Sequence, residues 1–444
     1  MFVMRNIIHV LFLLFLSIVL FGQGSTALVY DGTNNNIELN SSFQNQDGTK
    51  SFSFCAWIKS TNINKTGQRV LCDDENNTKG YALSLGDPGS GRLRFYVRGL
   101  STVSLDVPSG VYQLSNNKWY HVAAVYNQSS RTRYIYVNGE VAASHTHGVG
   151  EWNSSEVDIG SVSIGGEVNG SSESANRFQG QIDEVSYWNK ALSQIEVRDL
   201  MCKSLTGSET GLYAYWNFDG ASLGANNVPD ITANGLTGTM TNMTASDFAD
   251  SSIPLGNESI YLYPASWVGQ SITLNSPSNG SLEVNLVSGN PRSVHVYRVD
   301  NVPNYTAGLS GLGNNDTYYG VFFVGGASPT YTVVYDYSSY PDALFDKNNL
   351  VLNSRANNAA TTWTDIIGTN NTGINTLTKN AVSTNSKEFI LSNPTSPLPI
   401  KLLSFQANLN EDKVDLRWIT STEINNDFFT IEKSVDGKKW NEVS

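Results

Sequence analysis

The sequence predicts an all-β protein built from several sandwich domains, and three observations support this. Runs of strand length and strand composition alternate with turn residues along most of the 444 residues. Aromatic residues make up 11% and charged residues 15% of the chain, which argues against disorder and against a coiled coil. The 40 acidic and 28 basic residues give a net charge of −12 without a basic cluster, which argues against a nucleic-acid partner. At roughly 100–200 residues per domain, this length allows two to four domains.

The N-terminal residues have the features of an export signal. Arg5 precedes an apolar run from Ile7 to Phe21, and small residues follow. A run of about 15 residues is shorter than the ~20 that a membrane-spanning helix needs. We therefore predict a signal peptide over residues 1–24 and a mature chain without a transmembrane segment, secreted or held at the cell surface. A retained membrane anchor is the alternative.

The region from about residue 27 to residue 236 contains a series of short strand-like runs. Asn138-Gly139 separates two of them and predicts a type I′ hairpin, because both turn positions need a positive φ. Ser193 and Glu196 form a capping-box pattern that predicts the start of one short helix. Short strands at regular spacing with one small helix are typical of a sandwich or jelly roll. The runs are SFSFCAWIKS, YALSLG, RLRFYVRG, WYHVAAVYN, RYIYVNGEVAAS, VSIGGEV and QIDEVSYWN.

The order of several motifs in this region resembles the laminin-G-like jelly roll of the concanavalin A-like lectin/glucanase superfamily. The motifs are ALVYDG, FCAW, WYHVAAVY, YIYVNGE, FQGQIDEVSYWNKALSQIE and GLYAYWNF. The resemblance covers about half of the chain and implies a concanavalin A-like jelly roll over residues 25–248. It also implies a domain that binds glycans or proteins.

The rest of the chain is strand-like but lacks those motifs. We predict a β-rich domain of unknown function over residues 249–395. Residues 396–444 comprise a proline-punctuated linker, within PTSPLP, and a segment that resembles the first half of a fibronectin-type-III-like sandwich. The join between them resembles the tail region of type IX secretion cargo in bacteria. We therefore expect the natural protein to be longer.

The superfamily includes glycoside hydrolases, so catalysis is a specific alternative. A retaining hydrolase needs two carboxylates about 5–5.5 Å apart, which the related hydrolases carry in a Glu-x-Asp-x-(x)-Glu pattern. Glu156-Val-Asp158 lacks the third carboxylate, and adjacent Asp183 and Glu184 should face opposite sides of a strand. We expect no catalytic residues and a non-catalytic binding or adhesion protein. The alternatives are a polysaccharide hydrolase or lyase of the same superfamily, and a purely structural spacer.

The resemblance also implies one structural Ca²⁺ where the first and last strands meet. The matching positions are Asp31, Gly32 and Asp183, since calcium prefers carboxylate and carbonyl oxygens. The alternative is that Asp31 forms an Asx turn and Asp183 caps a hairpin.

Glycan binding requires an exposed aromatic ring with polar groups nearby. Trp57, Trp119 and Trp188 lie inside strand motifs and are expected in the core. Trp152 follows a glycine-containing loop, so it is our candidate ligand-binding residue. The expected partner is a polysaccharide, another glycan or a cell-surface protein.

The three cysteines leave the redox chemistry open. Cys55 and Cys72 lie in consecutive strand-like runs, so a disulfide between them is one expectation for an exported protein. The alternative is that Cys55, Cys72 and Cys202 are small buried hydrophobic residues.

Overall fold

A computed structural model describes two β-sandwich domains followed by a β-hairpin and a second, shorter strand pair. This confirms the predicted all-β fold class. The predicted signal peptide and Trp152 lie outside the described residues. Those residues are 26–39, 50–75, 79–149, 162–168, 176–276, 280–312, 317–326, 329–339, 347–393, 402–410, 413–420, 432–433 and 441–442.

The described residues of the first domain form sixteen strands and one α-helix. The helix α1 is Gln194–Met201, between the twelfth and thirteenth strands. The strands β1 to β16 are, in order, Thr26–Asp31, Asn36–Leu39, Phe52–Ser60, Gln68–Glu75, Lys79–Leu85, Leu93–Val97, Ser104–Asp106, Tyr120–Asn127, Thr132–Val137, Glu140–Thr146, Val162–Ile164, Gln179–Trp188, Leu212–Trp216, Asn227–Val228, Gly238–Thr241 and Phe248–Asp250.

These strands form two antiparallel sheets that pack face to face. Sheet I has the order β10-β9-β8-β3-β12-β1-β16, with β13 also paired to β12, and sheet II has the order β14-β15-β2-β11-β4-β5-β6-β7. Alternate residues of both sheets point inward and form one apolar core that includes Phe52, Phe95 and Trp216. The first strand of the domain lies beside the last, because β1 pairs with β16 as well as with β12.

Two local predictions are confirmed. Asn138 has φ of 48° and Gly139 has φ of 74°, as a type I′ turn between β9 and β10 requires. Ser193 caps α1: its side chain accepts a hydrogen bond from the Glu196 N–H, and the Glu196 carboxylate accepts one from the Ser193 N–H.

The second domain is a smaller sandwich of two antiparallel sheets. Sheet III has the order β17-β20-β21-β27-β23-β24, and sheet IV has the order β18-β19-β22-β26-β25. Their facing side chains form a separate core that includes Val284, Val321 and Phe389. The strands β17 to β27 are, in order, Glu258–Leu262, Ile272–Asn275, Ser281–Ser288, Ser293–Val299, Tyr318–Val324, Thr330–Asp336, Val351–Arg355, Thr364–Asp365, Thr369–Asn371, Thr376–Ser383 and Ser386–Ser392.

The outer surface of sheet I is buried between the two domains. Trp57 points outward from β3, donates its indole N–H to the Met201 carbonyl at 2.9 Å, and packs edge-on against Phe322 of the second domain at 5.7 Å. Trp119 donates to the Ser252 hydroxyl at 2.8 Å. Trp188 is buried under α1. These tryptophans are therefore buried or partly buried as expected, but against the helix and the second domain rather than inside the jelly roll.

Beyond the second domain, Leu402–Asn410 (β28) and Lys413–Thr420 (β29) form a two-stranded hairpin. Glu432–Lys433 (β30) and Asn441–Glu442 (β31) form another short pair. Within the described part of the chain, no helix has both the length and the apolar character to cross a membrane.

Candidate functional site

The residues expected to bind calcium are not brought together. Asp31 lies at the end of β1 opposite Gln179, whereas Asp183 lies four residues further along β12, about 13 Å at the usual rise of a strand. The Asp31 carboxylate already accepts hydrogen bonds from the N–H groups of Thr33, Asn34 and Asn35. Asp31 therefore forms the Asx-type turn that was the alternative prediction.

This arrangement does not fit a calcium site built from Asp31, Gly32 and Asp183. Gly32 has φ of 78°, as the turn requires, and a side chain at this position would clash with Gln179. Among the described residues, no group of three or more His, Cys, Asp or Glu side chains could hold a metal ion.

The three cysteines are buried free thiols, so the Cys55–Cys72 disulfide is corrected by the structure. Cys55 lies on β3 of sheet I, and Cys72 lies on β4 of sheet II. Although β3 and β4 are consecutive in the sequence, they lie in opposite sheets, so the apolar core separates the two cysteines. Burial raises the pKa of the Cys55 thiol to about 12.

Asp183 and Glu184 both point away from the jelly-roll core, which corrects the prediction that they face opposite sides. Ile182 and Val185 on either side of them are core residues. The register of β12 against β3 shifts between Asp183 and Ser186, and Glu184 has φ of 53°. This β-bulge turns two consecutive side chains to the same side of the sheet.

The two carboxyl groups form a buried acidic pair. The Ser251 hydroxyl donates to Asp183 at 2.6 Å, and the Tyr215 hydroxyl donates a short hydrogen bond to Glu184. Burial raises the pKa of Glu184 to about 8, and the nearby Asp219 charge adds to this effect. Burial and the adjacent Glu184 raise the pKa of Asp183 well above its ordinary value. Both groups are therefore held largely protonated at neutral pH.

This pair has no room for a sugar. Glu184 lines a cavity of about 10 Å³ together with Trp57, His121 and Leu255, enough for about one water molecule. Burial lowers the pKa of His121 to about 3, so its imidazole is neutral. The segment that leads into the second domain covers the cavity. The sequence did not predict this buried pair, because no residue type marks the position of the bulge.

The outer surface of sheet II carries a cluster of charged side chains that the second domain does not cover. We call this cluster the charged face; it consists of Arg69, Asp87, Arg94, Tyr96, Arg98, Asp106 and Glu167. These residues lie on β4, β6 and β7 and in the segments that follow β5, β6 and β11. On β6, Arg94 and Tyr96 point outward because they alternate with core residues Leu93, Phe95 and Val97.

Tyr96 lies at the centre of the charged face. The guanidinium carbons of Arg69, Arg94 and Arg98 are 5.1, 5.5 and 5.0 Å from the centre of its ring. Its hydroxyl donates to Asp87 at 3.1 Å. Burial raises the pKa of Tyr96, so the hydroxyl stays protonated. The ring is half-buried, which leaves part of it open to solvent.

Ion pairs fix the charged groups around this ring. Arg94 makes a bidentate contact with Asp106, at 2.5 and 2.7 Å, and both side chains remain partly exposed. Arg69 contacts Asp87 at 2.9 Å and Glu167 at 3.1 Å, and its side chain is only 5% exposed. The charged face therefore presents oriented donors and acceptors beside an aromatic ring.

Comparison with known families identifies the domain that carries this face. Residues 31–198 match the family model Laminin_G_3, of the concanavalin A-like lectin/glucanases superfamily. We call the domain that contains this segment, from β1 to β16, the laminin-G-like domain. The resemblance found in the sequence motifs is thereby confirmed, and so is the concanavalin A-like jelly roll. A search of curated proteins gave no match.

The chain is also similar in fold to several solved structures. A Bacteroides ovatus protein, to which carbohydrate binding has been ascribed, is 22% identical with a TM-score of 0.41, covering 53% of this chain and 62% of its own length. The Ruminococcus gnavus sialidase module CBM40, solved with sialyllactose, is 17% identical with a TM-score of 0.31, covering 40% and 98%. Domains LG4-5 of the mouse laminin α1 chain are 12% identical with a TM-score of 0.30, covering 83% and 82%. At these values the likeness is one of fold alone.

Trp152, the ligand-binding residue proposed from the sequence, lies outside the described residues of the laminin-G-like domain. Its segment follows β10 of sheet I and precedes β11, a central strand of sheet II. The role of Trp152 stays a prediction.

Proposed function

We propose that the laminin-G-like domain binds a carbohydrate through the charged face of sheet II, and that the protein is a secreted binding or adhesion protein at the cell surface. The observation that carries this proposal is the half-buried Tyr96 ring beside the partly exposed Arg94–Asp106 ion pair and the guanidinium group of Arg98.

The chemistry of this cluster suits a sugar. Guanidinium groups donate to sugar hydroxyl oxygens, carboxylates accept from hydroxyl groups, and an aromatic ring packs against sugar C–H groups. The ion pair with Asp106 already holds Arg94 in place, which reduces the side-chain entropy that Arg94 loses on binding. The uncovered position of the face supports this choice over the outer surface of sheet I, which packs against α1 and the second domain.

We further propose that the domain binds without catalysing a reaction. The carboxyl pair nearest to the hydrolase arrangement, Asp183 and Glu184, is 0% and 8% exposed and lies beside a cavity too small for a sugar ring. A glycosidase needs such a pair on both sides of a bound glycosidic bond. This burial favours binding over hydrolysis or lyase chemistry.

The test is a glycan array with the full chain and with a Tyr96→Ala variant. We expect Tyr96→Ala to weaken binding to the glycans retained by the wild type by about tenfold or more, corresponding to ~1.4 kcal/mol. Tyr134→Ala is the matched control, because Tyr134 is also half-buried but lies on β9 of sheet I. Equal losses in the two variants would refute the charged face as the site.

Three further measurements address the remaining parts of the proposal. Reducing-sugar release from the bound glycans, abolished by Glu184→Gln, would support the hydrolase alternative and contradict binding alone. Trp152→Ala in the same array tests the sequence-based candidate. N-terminal sequencing of protein from the culture medium tests export, and a secreted chain beginning at Met1 would contradict cleavage of residues 1–24.

A further inference from the structure

Two lysines of the second domain point into the space between its two sheets. Lys379 on β26 is the register partner of Val333, and Lys387 on β27 is the register partner of Val321. Partners across an antiparallel pair point to the same side of the sheet. Val333 and Val321 both belong to the core of the second domain. Lys387 on sheet III and Lys379 on sheet IV therefore both point toward the core between the two sheets.

A bulge and a short turn shape this end of the sandwich. The register of β22 against β26 shifts between Tyr331 and Val333, and Ala381 in the bulge has φ of 54°. Beyond it, the β26–β27 connection brings Ser383 and Thr384 to the same end. The result is an open pocket of about 210 Å³ lined by Ile366, Lys379, Val382, Ser383, Thr384 and Lys387. We call it the lysine pocket.

The lysine pocket has positive charge but no described carboxylate in its lining. The described ion pairs that involve this domain use other side chains, namely Arg292, Arg298, Arg355 and Lys203 with Glu258. Lys379 donates a long hydrogen bond of 3.4 Å to the Ile367 carbonyl. Burial lowers the pKa of Lys387. Neither of these two partly buried ammonium groups has an acidic partner among the described ion pairs.

We propose that the lysine pocket binds the carboxylate or sulfate group of an acidic saccharide unit. The two ammonium groups neutralise the anionic group, the hydroxyls of Ser383 and Thr384 bond to its oxygens or to sugar hydroxyls, and Ile366 and Val382 contact the C–H surface. The volume is below the ~300–1,000 Å³ of drug-sized sites, so it suits a single small unit. This site is separate from the charged face and gives the second domain a role of its own.

The test is isothermal titration calorimetry of the full chain with three probes. Tetragalacturonate carries carboxylates, galactose 6-sulfate carries a sulfate and no carboxylate, and cellotetraose is neutral. We expect binding of at least one anionic probe, weakened by about tenfold or more in Lys379→Gln/Lys387→Gln, and no binding of cellotetraose at this site. Preference between the two anionic probes identifies which group the pocket accepts. Affinity should fall as salt rises, because the attraction is between charges.

The controls separate this site from other effects. Lys50→Gln/Lys118→Gln removes the same two charges from exposed positions outside the pocket and should leave the affinity unchanged. Lys379→Arg/Lys387→Arg keeps the charge and should retain part of the affinity. Tyr96→Ala, which tests the charged face, should have no effect on this binding. Anionic probes that bind the Lys→Gln double variant as tightly as the wild type, or that fail to bind the folded wild type, would overturn the proposal.

Discussion

The guanidinium carbon of Arg198 lies 3.6 Å from the centre of the Tyr263 ring. Arg198 belongs to helix α1 of the laminin-G-like domain, and Tyr263 directly follows β17 of the second domain. The Arg198 Nε also donates to the Gly139 carbonyl at 2.9 Å. The Tyr263 hydroxyl lies 2.9 Å from both the Asn138 carbonyl oxygen and His295 Nε2. One tyrosine thus joins the helix, the β9–β10 turn and sheet III.

Removing only the hydroxyl of Tyr263 should weaken this junction. Tyr263→Phe keeps the ring above Arg198 but leaves Asn138 and His295 without that partner, at a cost of about 1–3 kcal/mol of unfolding free energy. Differential scanning calorimetry should show a lower unfolding midpoint. Tyr261→Phe is the control, because Tyr261 is more exposed and water can replace its lost bond. Equal shifts in the two variants would contradict the assigned role of the Tyr263 hydroxyl.

The buried acidic pair should make the protein less stable as pH rises. The pKa of Glu184 is raised from 4.5 to about 8 in the folded protein. Because the folded protein holds the Glu184 proton more tightly than the unfolded chain does, Glu184 stabilises the folded state fully below pH 4.5. This stabilisation is lost as the pH rises towards 8. One such group contributes a slope of about 1.4 kcal/mol per pH unit in that window. Denaturant unfolding between pH 5 and 9 measures it, and Glu184→Gln should flatten the decline.

Glu209 provides a contrasting control for that experiment. Partial burial acts to raise its pKa, but hydrogen bonds from the Thr206 and Gly207 N–H groups outweigh burial and lower it. The Glu209 carboxylate therefore stabilises the folded state above the pKa that Glu209 has in the unfolded chain, and this stabilisation is lost only in acid. Glu209→Gln should therefore leave the slope between pH 5 and 9 unchanged. An identical decline in wild type and Glu184→Gln would show that Glu184 does not cause it.

Arg355 should be the more sensitive of two arginines in the second domain. Its side chain is fully buried, contacts Glu388 at 2.5 Å, and lies 4.6 Å from the Trp363 ring centre. Arg355→Leu leaves a buried carboxylate without its cation, so we expect a loss of about 3–5 kcal/mol in unfolding free energy. Arg298→Leu breaks the more exposed pair with Asp300 and should cost about 1 kcal/mol or less. Similar losses in urea unfolding would contradict this ranking.

The free thiols should react only after unfolding. Cys55, Cys72 and Cys202 are 3%, 2% and 0% exposed, and burial raises the pKa of Cys55 and Cys202. A thiol reagent should label none of them in buffer and all three in denaturant. Reducing agent should leave the unfolding midpoint unchanged. An intact mass two hydrogens lower than the reduced chain would instead establish a disulfide.

Local sequence patterns predicted much of the fold, because short-range physics decides those features. The Asn138-Gly139 turn and the Ser193–Glu196 capping box depend on residues only a few positions apart. The jelly roll follows from the order of its strand motifs. The Asx turn at Asp31 was an open alternative for the same reason, since its bonds reach only to Asn35.

The candidate sites were harder to predict because they depend on distant residues. Arg69 and Glu167 meet across 98 sequence positions, and Lys379 faces the sandwich interior only through its pairing with β22. The bulge at Glu184 places a residue without a special backbone preference at positive φ. Cys55 and Cys72 lie on consecutive strands, which predicts neighbouring positions, but the chain crosses from sheet I to sheet II between β3 and β4.

The pairing of β1 with β16 has a consequence for how this domain can be rearranged. Thr26 and Asp250 are direct register partners, so the first and last strands of the laminin-G-like domain end side by side. A domain with adjoining ends can be grafted into a surface loop of another protein, or circularly permuted, without losing a strand. In a circular permutant, new termini in the exposed Ser129–Ser130 turn between β8 and β9 would leave every strand pairing intact. The positions of its two ends therefore make this domain suitable for insertion into other proteins.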